Sequence, residues 1–203
     1  MPMIRIVCWD ISGLDRETYE RLYAQSTPER RARADRYRRH EDAVRCIAAE
    51  ALVRRAAGGS VTVVKDEGGK PRLAGREDFH YNLSHSGRWV VIAWGGSSVG
   101  VDVEKMDMDA GKEQIARRFF SREEQDDIFA AEGDLRSERF FQVWTGKESY
   151  LKYLGTGLRT PMDAFSVLSL EGVILRRWRL PGGYFLSLCS GEAEATLEII
   201  TEL

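Results

Sequence analysis

The sequence predicts an α+β fold of two similar halves, each with helices packed on a small antiparallel sheet. The chain has 203 residues, of which 43% are hydrophobic, and this is enough to build a substantial core. In each half, segments with helical periodicity precede short runs of β-forming residues, and glycine-rich turns between those runs favour antiparallel pairing. We therefore expect an N-terminal half at residues 1–100 and a C-terminal half at residues 101–203.

The first half begins with a predicted strand at residues 4–9, followed by a helix at residues 15–23 that has few apolar positions. A second helix starts at Pro28, because the hydroxyl residues before it can accept a hydrogen bond from an orphan amide. The clearest helix covers residues 41–57, where apolar side chains recur at helical spacing and a glycine pair follows. Strands are then predicted at residues 61–64, 79–83, 89–94 and 99–103.

The second half opens with a predicted loop at residues 106–111. Helices are predicted at residues 113–120, 122–131 and 138–153. The second of these starts at Ser121, where Glu124 completes a capping box. A turn at residues 181–183 predicts a hairpin among the last strands, which are expected at residues 165–168, 173–180, 184–189 and 195–200.

The composition restricts the classes of function. With 30 basic and 32 acidic residues the formal net charge is −2, which argues against a general nucleic-acid partner. Three widely spaced cysteines disfavour a disulfide framework or a zinc knuckle and suit a reducing compartment. We find neither a secretion signal nor an uncharged apolar stretch of the ~20 residues that cross a bilayer. We therefore expect a cytoplasmic protein without a membrane partner.

Asp102 and Glu104 are the first candidate metal ligands. Alternation along a strand places both carboxylates on one face, about 6.6 Å apart along the chain, and side chains can close that separation around one hard cation. A solvent-facing edge strand would show the same pattern, and for the pair alone that is the commoner explanation.

Glu148 strengthens the metal interpretation, because it lies at helical spacing from the apolar residues Trp144 and Leu151. A carboxylate on an apolar stripe needs a partner, since its desolvation is costly. That partner is either Lys152, one helical turn away, or a divalent metal. Oxygen ligands without a Cys/His cluster suit magnesium or manganese better than zinc. Lys147 and Lys152 would then balance the charge of a bound polyphosphate.

Three further segments have both a structural and a functional interpretation. A turn is predicted at residues 84–87, and it offers hydroxyls and an imidazole for a phosphate, although a lone histidine such as His85 more often has a structural role. Lys70, in a Gly-Lys-Pro sequence, belongs to a surface turn or contacts a nucleotide phosphate. The arginine-rich segment after Pro28 is a solvated helix face unless an anionic partner is present.

Four motifs, in this order, resemble those of the 4'-phosphopantetheinyl transferases and in particular the Sfp-type branch. They are Gly69-Lys70-Pro71, Asn82-Leu83-Ser84-His85-Ser86, Gly100-Val101-Asp102-Val103-Glu104 and Trp144-Thr145-Gly146-Lys147-Glu148-Ser149-Tyr150-Leu151-Lys152. The resemblance implies two α+β halves with coenzyme A in the cleft between them. It also implies transfer of 4'-phosphopantetheine from coenzyme A to a serine of an acyl or peptidyl carrier protein, with release of 3',5'-ADP.

The resemblance further implies roles for individual residues. Asp102, Glu104 and Glu148 would bind magnesium, and Glu148 would also act as the general base, directly or through water. Lys152 would offset charge near the scissile phosphate. The expected coenzyme contacts are Arg30, Arg33, Arg45, Lys70, Ser84 and His85, with Lys147 as a further cation for the polyphosphate. Gly146, a poor helix former, is a departure inside the last motif.

Other functions stay open at this point. The same acids would serve a metal-dependent nucleotide pyrophosphohydrolase that uses water as its nucleophile. The chain would alternatively be a coenzyme A- or carrier-binding module without turnover. Because one chain supplies both walls of the cleft, we expect a monomer. A carrier-docking patch is expected in the C-terminal half, although core packing explains its residues equally well: Met106, Met108, Phe119 and Phe120.

Overall fold

The chain has the α+β fold that the sequence predicts. A computed structural model describes residues 3–203, apart from the side chains of residues 110 and 158. In these residues the α-helices are α1 (Arg16–Gln25), α2 (Pro28–Ala34), α3 (His40–Ala57), α4 (Ala110–Phe119), α5 (Arg122–Phe129) and α6 (Gly133–Leu154). The strands are β1 (Met3–Asp10), β2 (Val63–Lys65), β3 (Pro71–Leu73), β4 (His80–Ser86), β5 (Trp89–Gly95), β6 (Val99–Lys105), β7 (Ile174–Leu180), β8 (Tyr184–Ser190) and β9 (Glu194–Ile200).

The strands form three sheets. The first has the order β4-β5-β1-β9, in which β1 and β9 are parallel and the other pairs antiparallel. The second is the short hairpin β2-β3, and the third is antiparallel with the order β6-β8-β7. The last strand thus joins the sheet built by strands near the start of the chain. The division into halves at residues 100 and 101, which lie inside β6, stays a prediction.

Packing arranges the main elements in four layers. On one face of the first sheet, Val90 and Ile92 pack with Ile47 of α3 in the same core cluster. On the opposite face, alternate residues such as Val91 pack with Val101 and other residues of the third sheet. The third sheet is covered in turn by α4, α5 and α6. Strand alternation, which sends successive side chains to opposite faces, explains why both faces of β5 are apolar.

The strand predicted at residues 165–168 is wrong. Phe165 and Val167 pack against the core around α6, as their apolar pattern suggests. Their backbone groups, however, bind buried side chains: the Phe165 carbonyl accepts from Lys147 Nζ at 2.6 Å, and the Val167 amide donates to Glu124 Oε1 at 2.8 Å. The alternation therefore reflects packing and not sheet pairing.

The other differences are smaller. The helix α6 begins at Gly133, earlier than residue 138, and α4 begins at Ala110, where the Asp109 side chain accepts from the Lys112 amide. Residues 84–86, predicted as a turn, belong to strand β4. No helix in the described part of the chain combines the length and apolarity of a membrane span.

Candidate active site

A cleft of about 440 Å³ opens between α2, α3 and β4 on one side and β6 and α6 on the other. Its lining brings together eight of the residues that the sequence singles out: Arg30, Arg33, Ser84, His85, Asp102, Glu104, Glu148 and Lys152. Basic groups come from α2, and acidic groups come from β6 and α6. The cleft is therefore charged with opposite signs on its two walls.

The close approach of α6 to β6 builds the acidic wall. A Cβ atom added to Gly100 of β6 would overlap the Ser149 carbonyl oxygen and the Tyr153 amide nitrogen of α6. Only glycine permits this contact, because every other residue has a side-chain carbon at that place. As a result, Glu148 and Lys152 of α6 lie beside the acids of β6 at the cleft.

Lys152 binds Asp102 and not the neighbouring Glu148. Its Nζ donates to Asp102 Oδ1 at 2.6 Å, to Ser84 Oγ at 3.2 Å and to the Val101 carbonyl at 3.1 Å. Asp102 is only 4% exposed, and its second oxygen, Oδ2, is buried without a hydrogen-bond partner among the described residues. The simple ion-pair explanation for Glu148 is therefore wrong, and one oxygen of Asp102 remains available.

Burial, and then repulsion among the acids, shapes the ionisation of Glu104 and Glu148. Burial, followed by the charge of Asp102, raises the pKa of Glu104, and Ser86 Oγ opposes this by donating to Glu104 Oε2 at 3.0 Å. Burial and then the charge of Asp102 also raise the pKa of Glu148, while Lys152 lowers it. Both carboxylates thus lack full charge compensation in the part of the chain that the structure describes. An added cation would relieve this repulsion.

The acids do not form a finished metal cage. No group of three or more His, Cys, Asp or Glu side chains, among the described residues, is arranged to hold a metal ion. The oxygen donors still suit a hard divalent cation, and the orphaned Asp102 Oδ2 is a buried acceptor that such a cation would satisfy.

The basic wall is partly engaged by protein groups. Arg30 Nε donates to Glu50 Oε2 at 3.2 Å, and Arg33 Nε donates to the Tyr37 hydroxyl at 3.2 Å. Burial lowers the pKa of His85, and the nearby arginine and lysine charges lower it further. The lowered pKa favours neutral His85 before a ligand binds. An anionic ligand bound among these cations would raise the pKa of His85 and so stabilise its protonated form.

Lys147 is buried away from the cleft, so its predicted contact with the coenzyme is wrong. Its side chain is 0% exposed and pairs with Glu124 Oε2 at 2.8 Å. The ammonium also donates to the carbonyls of Met162 and Phe165, both at 2.6 Å. With its three donors satisfied in the interior, Lys147 joins α6 to α5 and to the segment after α6.

Lys70 and Arg45 lie outside the main cleft. Lys70 borders a second cavity of about 270 Å³ that Glu148 and Lys152 also line. Its ammonium donates to Ser98 Oγ, the Val99 carbonyl and the Tyr153 carbonyl at 3.0–3.1 Å, and burial lowers its pKa to about 8. Arg45 donates to the Gly87 carbonyl at 2.9 Å and pairs with Asp42. A phosphate at either cation would compete with these protein acceptors.

The four residues of the expected docking patch separate in the structure. Phe120 is 2% exposed and belongs to the core around α6, and Met106 and Met108 pack against that core. Phe119 is 40% exposed and lines a cavity of about 490 Å³ that Glu148 also lines. Phe119 is therefore the most exposed of the four, Met106 and Met108 are half-buried, and the docking patch stays a prediction.

Sequence reasoning did not predict the contacts of three polar residues, Asn82, Ser86 and Glu124. Glu124 was recognised as a helix cap, but its ion pair with Lys147 joins residues far apart in sequence. Asn82 and Ser86 flank Ser84 at alternate positions of β4, and their side chains bind backbone amides of β6. The alternation of polar residues at positions 82, 84 and 86 was the sequence signal that could have indicated a shared polar face of β4.

Comparisons with known proteins agree with the motifs. A family model described as the 4'-phosphopantetheinyl transferase superfamily matches residues 98–194. The chain is 32% identical to the 4'-phosphopantetheinyl transferase Sfp of Bacillus subtilis (strain 168), over 89% of each chain. It is 37% identical to another 4'-phosphopantetheinyl transferase of Bacillus subtilis, over 73% of this chain and 68% of the relative. It is 31% identical to the 4'-phosphopantetheinyl transferase psf-1 of Bacillus pumilus, over 98% of this chain and 95% of the relative.

Proposed function

This chain belongs to the 4'-phosphopantetheinyl transferase family, and we propose that it transfers 4'-phosphopantetheine from coenzyme A to a serine of an acyl or peptidyl carrier protein. The chain is thus an enzyme that releases 3',5'-ADP. The observation that carries this proposal is the cleft in which Asp102, Glu148 and Lys152 face a wall of arginines. A coenzyme with several phosphates needs cations to bind it, and a reacting pyrophosphate needs charge compensation where its bond breaks.

In the proposed reaction, the serine oxygen bonds to the β-phosphorus of coenzyme A, and the bond from that phosphorus to the bridging oxygen breaks. The serine proton passes to Glu148, directly or through one water. In the site without a cation, burial and then the charge of Asp102 raise the pKa of Glu148. A bound cation would lower this pKa, so the proposed role depends on the position of Glu148 beside the serine hydroxyl. The ammonium of Lys152 offsets negative charge on the departing 3',5'-ADP.

We further propose Asp102, Glu104 and Glu148 as the ligands of a magnesium ion. Their oxygen donors suit a hard cation, and Asp102 Oδ2 is buried without a partner among the described residues. When bound, magnesium neutralises charge on the pyrophosphate. Lys152, already 2.6 Å from Asp102 Oδ1, keeps one carboxylate oxygen oriented before any ligand arrives.

For the coenzyme phosphates we propose contacts from Arg30, Arg33 and His85, which line the cleft. The expected contacts of Arg45, Lys70 and Ser84 stay proposals as well, and each would have to share its present hydrogen bonds with the ligand. The residues involved come from both proposed halves, 1–100 and 101–203, so that one copy of the chain can complete the site. This supports a monomer, and three unpaired, buried cysteines are compatible with the proposed cytoplasmic location.

Product analysis separates this function from its alternatives. We expect the purified protein, given coenzyme A, Mg²⁺ and a carrier protein, to form 3',5'-ADP and modified carrier in equal amounts. A carrier with alanine in place of the reactive serine is the control and should suppress both products. Release of 3',5'-ADP with that control would indicate a pyrophosphohydrolase, and binding of coenzyme A without either product would indicate a binding module.

A further inference from the structure

A ladder of side chains joins the edges of two sheets at the acidic wall. The edge strand β4 belongs to the first sheet and the edge strand β6 to the third, and the two strands are not paired through their backbones. Instead, Asn82 Oδ1 accepts from the Val101 amide at 3.0 Å. Ser84 Oγ accepts from the Val103 amide and Ser86 Oγ from the Lys105 amide, both at 3.2 Å.

The three rungs repeat with the period of a strand. Each acceptor lies two residues after the previous one on β4, and each donor lies two residues after the previous one on β6. The side-chain oxygens therefore occupy the place that carbonyls of a paired neighbour strand would take. Edge amides that would otherwise be unsatisfied are bonded, which fixes the position of β6 against β4.

The two serine rungs also orient the acids. A serine hydroxyl has one proton, and a backbone amide can only donate to it, so that its own proton is left for another acceptor. Ser84 Oγ donates to Asp102 Oδ1 at 2.9 Å, and Ser86 Oγ donates to Glu104 Oε2 at 3.0 Å. Each serine thus binds one amide of β6 and the carboxylate of the residue just before it.

This arrangement distinguishes the two oxygens of each carboxylate. Ser84 and Lys152 both bind Oδ1 of Asp102, while Oδ2 stays buried and has no partner in the described part of the chain. Ser86 in the same way binds only Oε2 of Glu104. Hydrogen bonds of this kind hold a metal-binding carboxylate in one orientation, and their loss typically weakens metal binding by about 10–100-fold.

We infer that Ser86, together with Ser84, is a positioning residue that orients Glu104 and Asp102 toward a divalent cation. The inference rests on the metal ligands of the proposed function. Ser86 is not among the residues that line the cleft, and it acts through its hydrogen bond to Glu104. Asn82 supplies an internal comparison, because it bonds the amide of Val101 but no carboxylate.

The test measures direct binding of Mn²⁺ to the full chain without coenzyme or carrier. The electron paramagnetic resonance signal of free Mn²⁺ reports how much of the ion is bound. Ser86→Ala should raise the dissociation constant about ten-fold, the lower end of the range for such partners. Ser86→Thr keeps the hydroxyl and should restore binding. Asn82→Ala should lower the urea midpoint of unfolding and leave the Mn²⁺ constant unchanged.

Unchanged Mn²⁺ binding by Ser86→Ala would overturn the inference, and so would equal weakening by Ser86→Ala and Asn82→Ala. Absence of Mn²⁺ binding by the unaltered protein would also overturn it. If Ser86→Ala does not fold, Ser86→Cys keeps the unbranched shape of the side chain with a weaker donor, and its affinity for Mn²⁺ must fall below that of Ser86→Thr. Because neither coenzyme nor carrier is present, these outcomes are independent of whether the unaltered protein modifies a carrier.

Discussion

At the scale of single residues, two lysines of one helix differ entirely in their surroundings. Lys152 lies at the cleft beside Asp102, whereas Lys147 is buried with Glu124. The sequence predicted that both would face a polyphosphate. The helix α6 is buried on more than one side, at Lys147 as well as at its apolar residues, so its apolar pattern did not show which lysine the core covers. The common face of Asp102 and Glu104 was predictable, since a strand has an unambiguous period of two.

We predict that Lys147→Met lowers the free energy of unfolding by about 3–5 kcal/mol, because the change leaves the Glu124 carboxylate buried without its counter-charge. Urea unfolding of the purified variant measures this. Adding Glu124→Gln removes the uncompensated charge and keeps an acceptor for the Val167 amide, so the double variant should regain part of the loss. If the variant kept its stability and bound coenzyme A more weakly, Lys147 would instead be a coenzyme contact.

Asp102→Asn should weaken Mn²⁺ binding by more than the about 10-fold expected when only an outer hydrogen-bond partner is lost. The amide keeps the size of the side chain but removes the charge that a hard cation requires. Isothermal titration of Mn²⁺ into the protein measures the change. Asp107→Asn, the same substitution at an exposed position just after β6, is the matched control. Equal Mn²⁺ affinities of the two variants would exclude Asp102 as a ligand.

At the scale of secondary-structure elements, the contact between β6 and α6 decides where the acids meet. Local signals predicted the elements well where they are capped: the capping box of Ser121 and Glu124 starts α5 as expected. They failed at residues 165–168, where buried Lys147 and Glu124 bind the backbone groups that a strand would have used. Side-chain partners from distant elements leave no local pattern.

Gly100→Ala should separate β6 from α6, because its methyl group would overlap backbone atoms that cannot move aside independently. We expect a loss of about 1–3 kcal/mol in the free energy of unfolding, typical of overpacking, together with weaker Mn²⁺ binding. Thermal unfolding and metal titration measure the two effects. Gly96→Ala is the control, since an added Cβ there meets nothing within 4 Å. Equal behaviour of the two variants would contradict the proposed importance of this contact.

At the scale of the whole molecule, two sheets pack face to face and the cleft lies where their edges β4 and β6 meet. The sequence predicted the α+β class and the positions of most strands and helices, because both depend on local periodicity. It did not predict that β9 would pair with β1 in parallel, at the other end of the chain. Such a pairing depends on which edge of the first sheet has no other strand beside it, and this is a property of the tertiary structure.

Buried thiols make the folding stability of the whole molecule depend on pH. Burial raises the pKa of Cys8 and of Cys189 to about 12, so above about pH 9 the unfolded chain loses two protons that the folded chain keeps. Lys70, with its pKa lowered to about 8, has the opposite effect, since the unfolded chain keeps its proton longer. From about pH 9 to 10 the two thiols and Lys70 together differ by about one proton between the folded and unfolded chain, and Tyr81, whose pKa burial also raises to about 12, adds to the loss. Each proton of difference lowers stability by about 1.4 kcal/mol per pH unit.

Urea unfolding in the presence of a reducing agent measures this slope. In the variant Cys8→Ala/Cys189→Ala the contribution of the two thiols is lost, so stability should fall less steeply over the same pH range. A fall of equal steepness in that variant would contradict the assignment of the pH dependence to the thiols.

The most direct test of the central claim is the intact mass of a carrier protein after incubation with coenzyme A, Mg²⁺ and this enzyme. The account predicts a mass increase of one phosphopantetheine group, located on a single serine. Glu148→Gln should slow its appearance by about 10²–10⁴-fold while coenzyme A binding persists, because the proton acceptor is lost. An unmodified carrier with the unaltered enzyme, or undiminished modification with Glu148→Gln, would contradict the account.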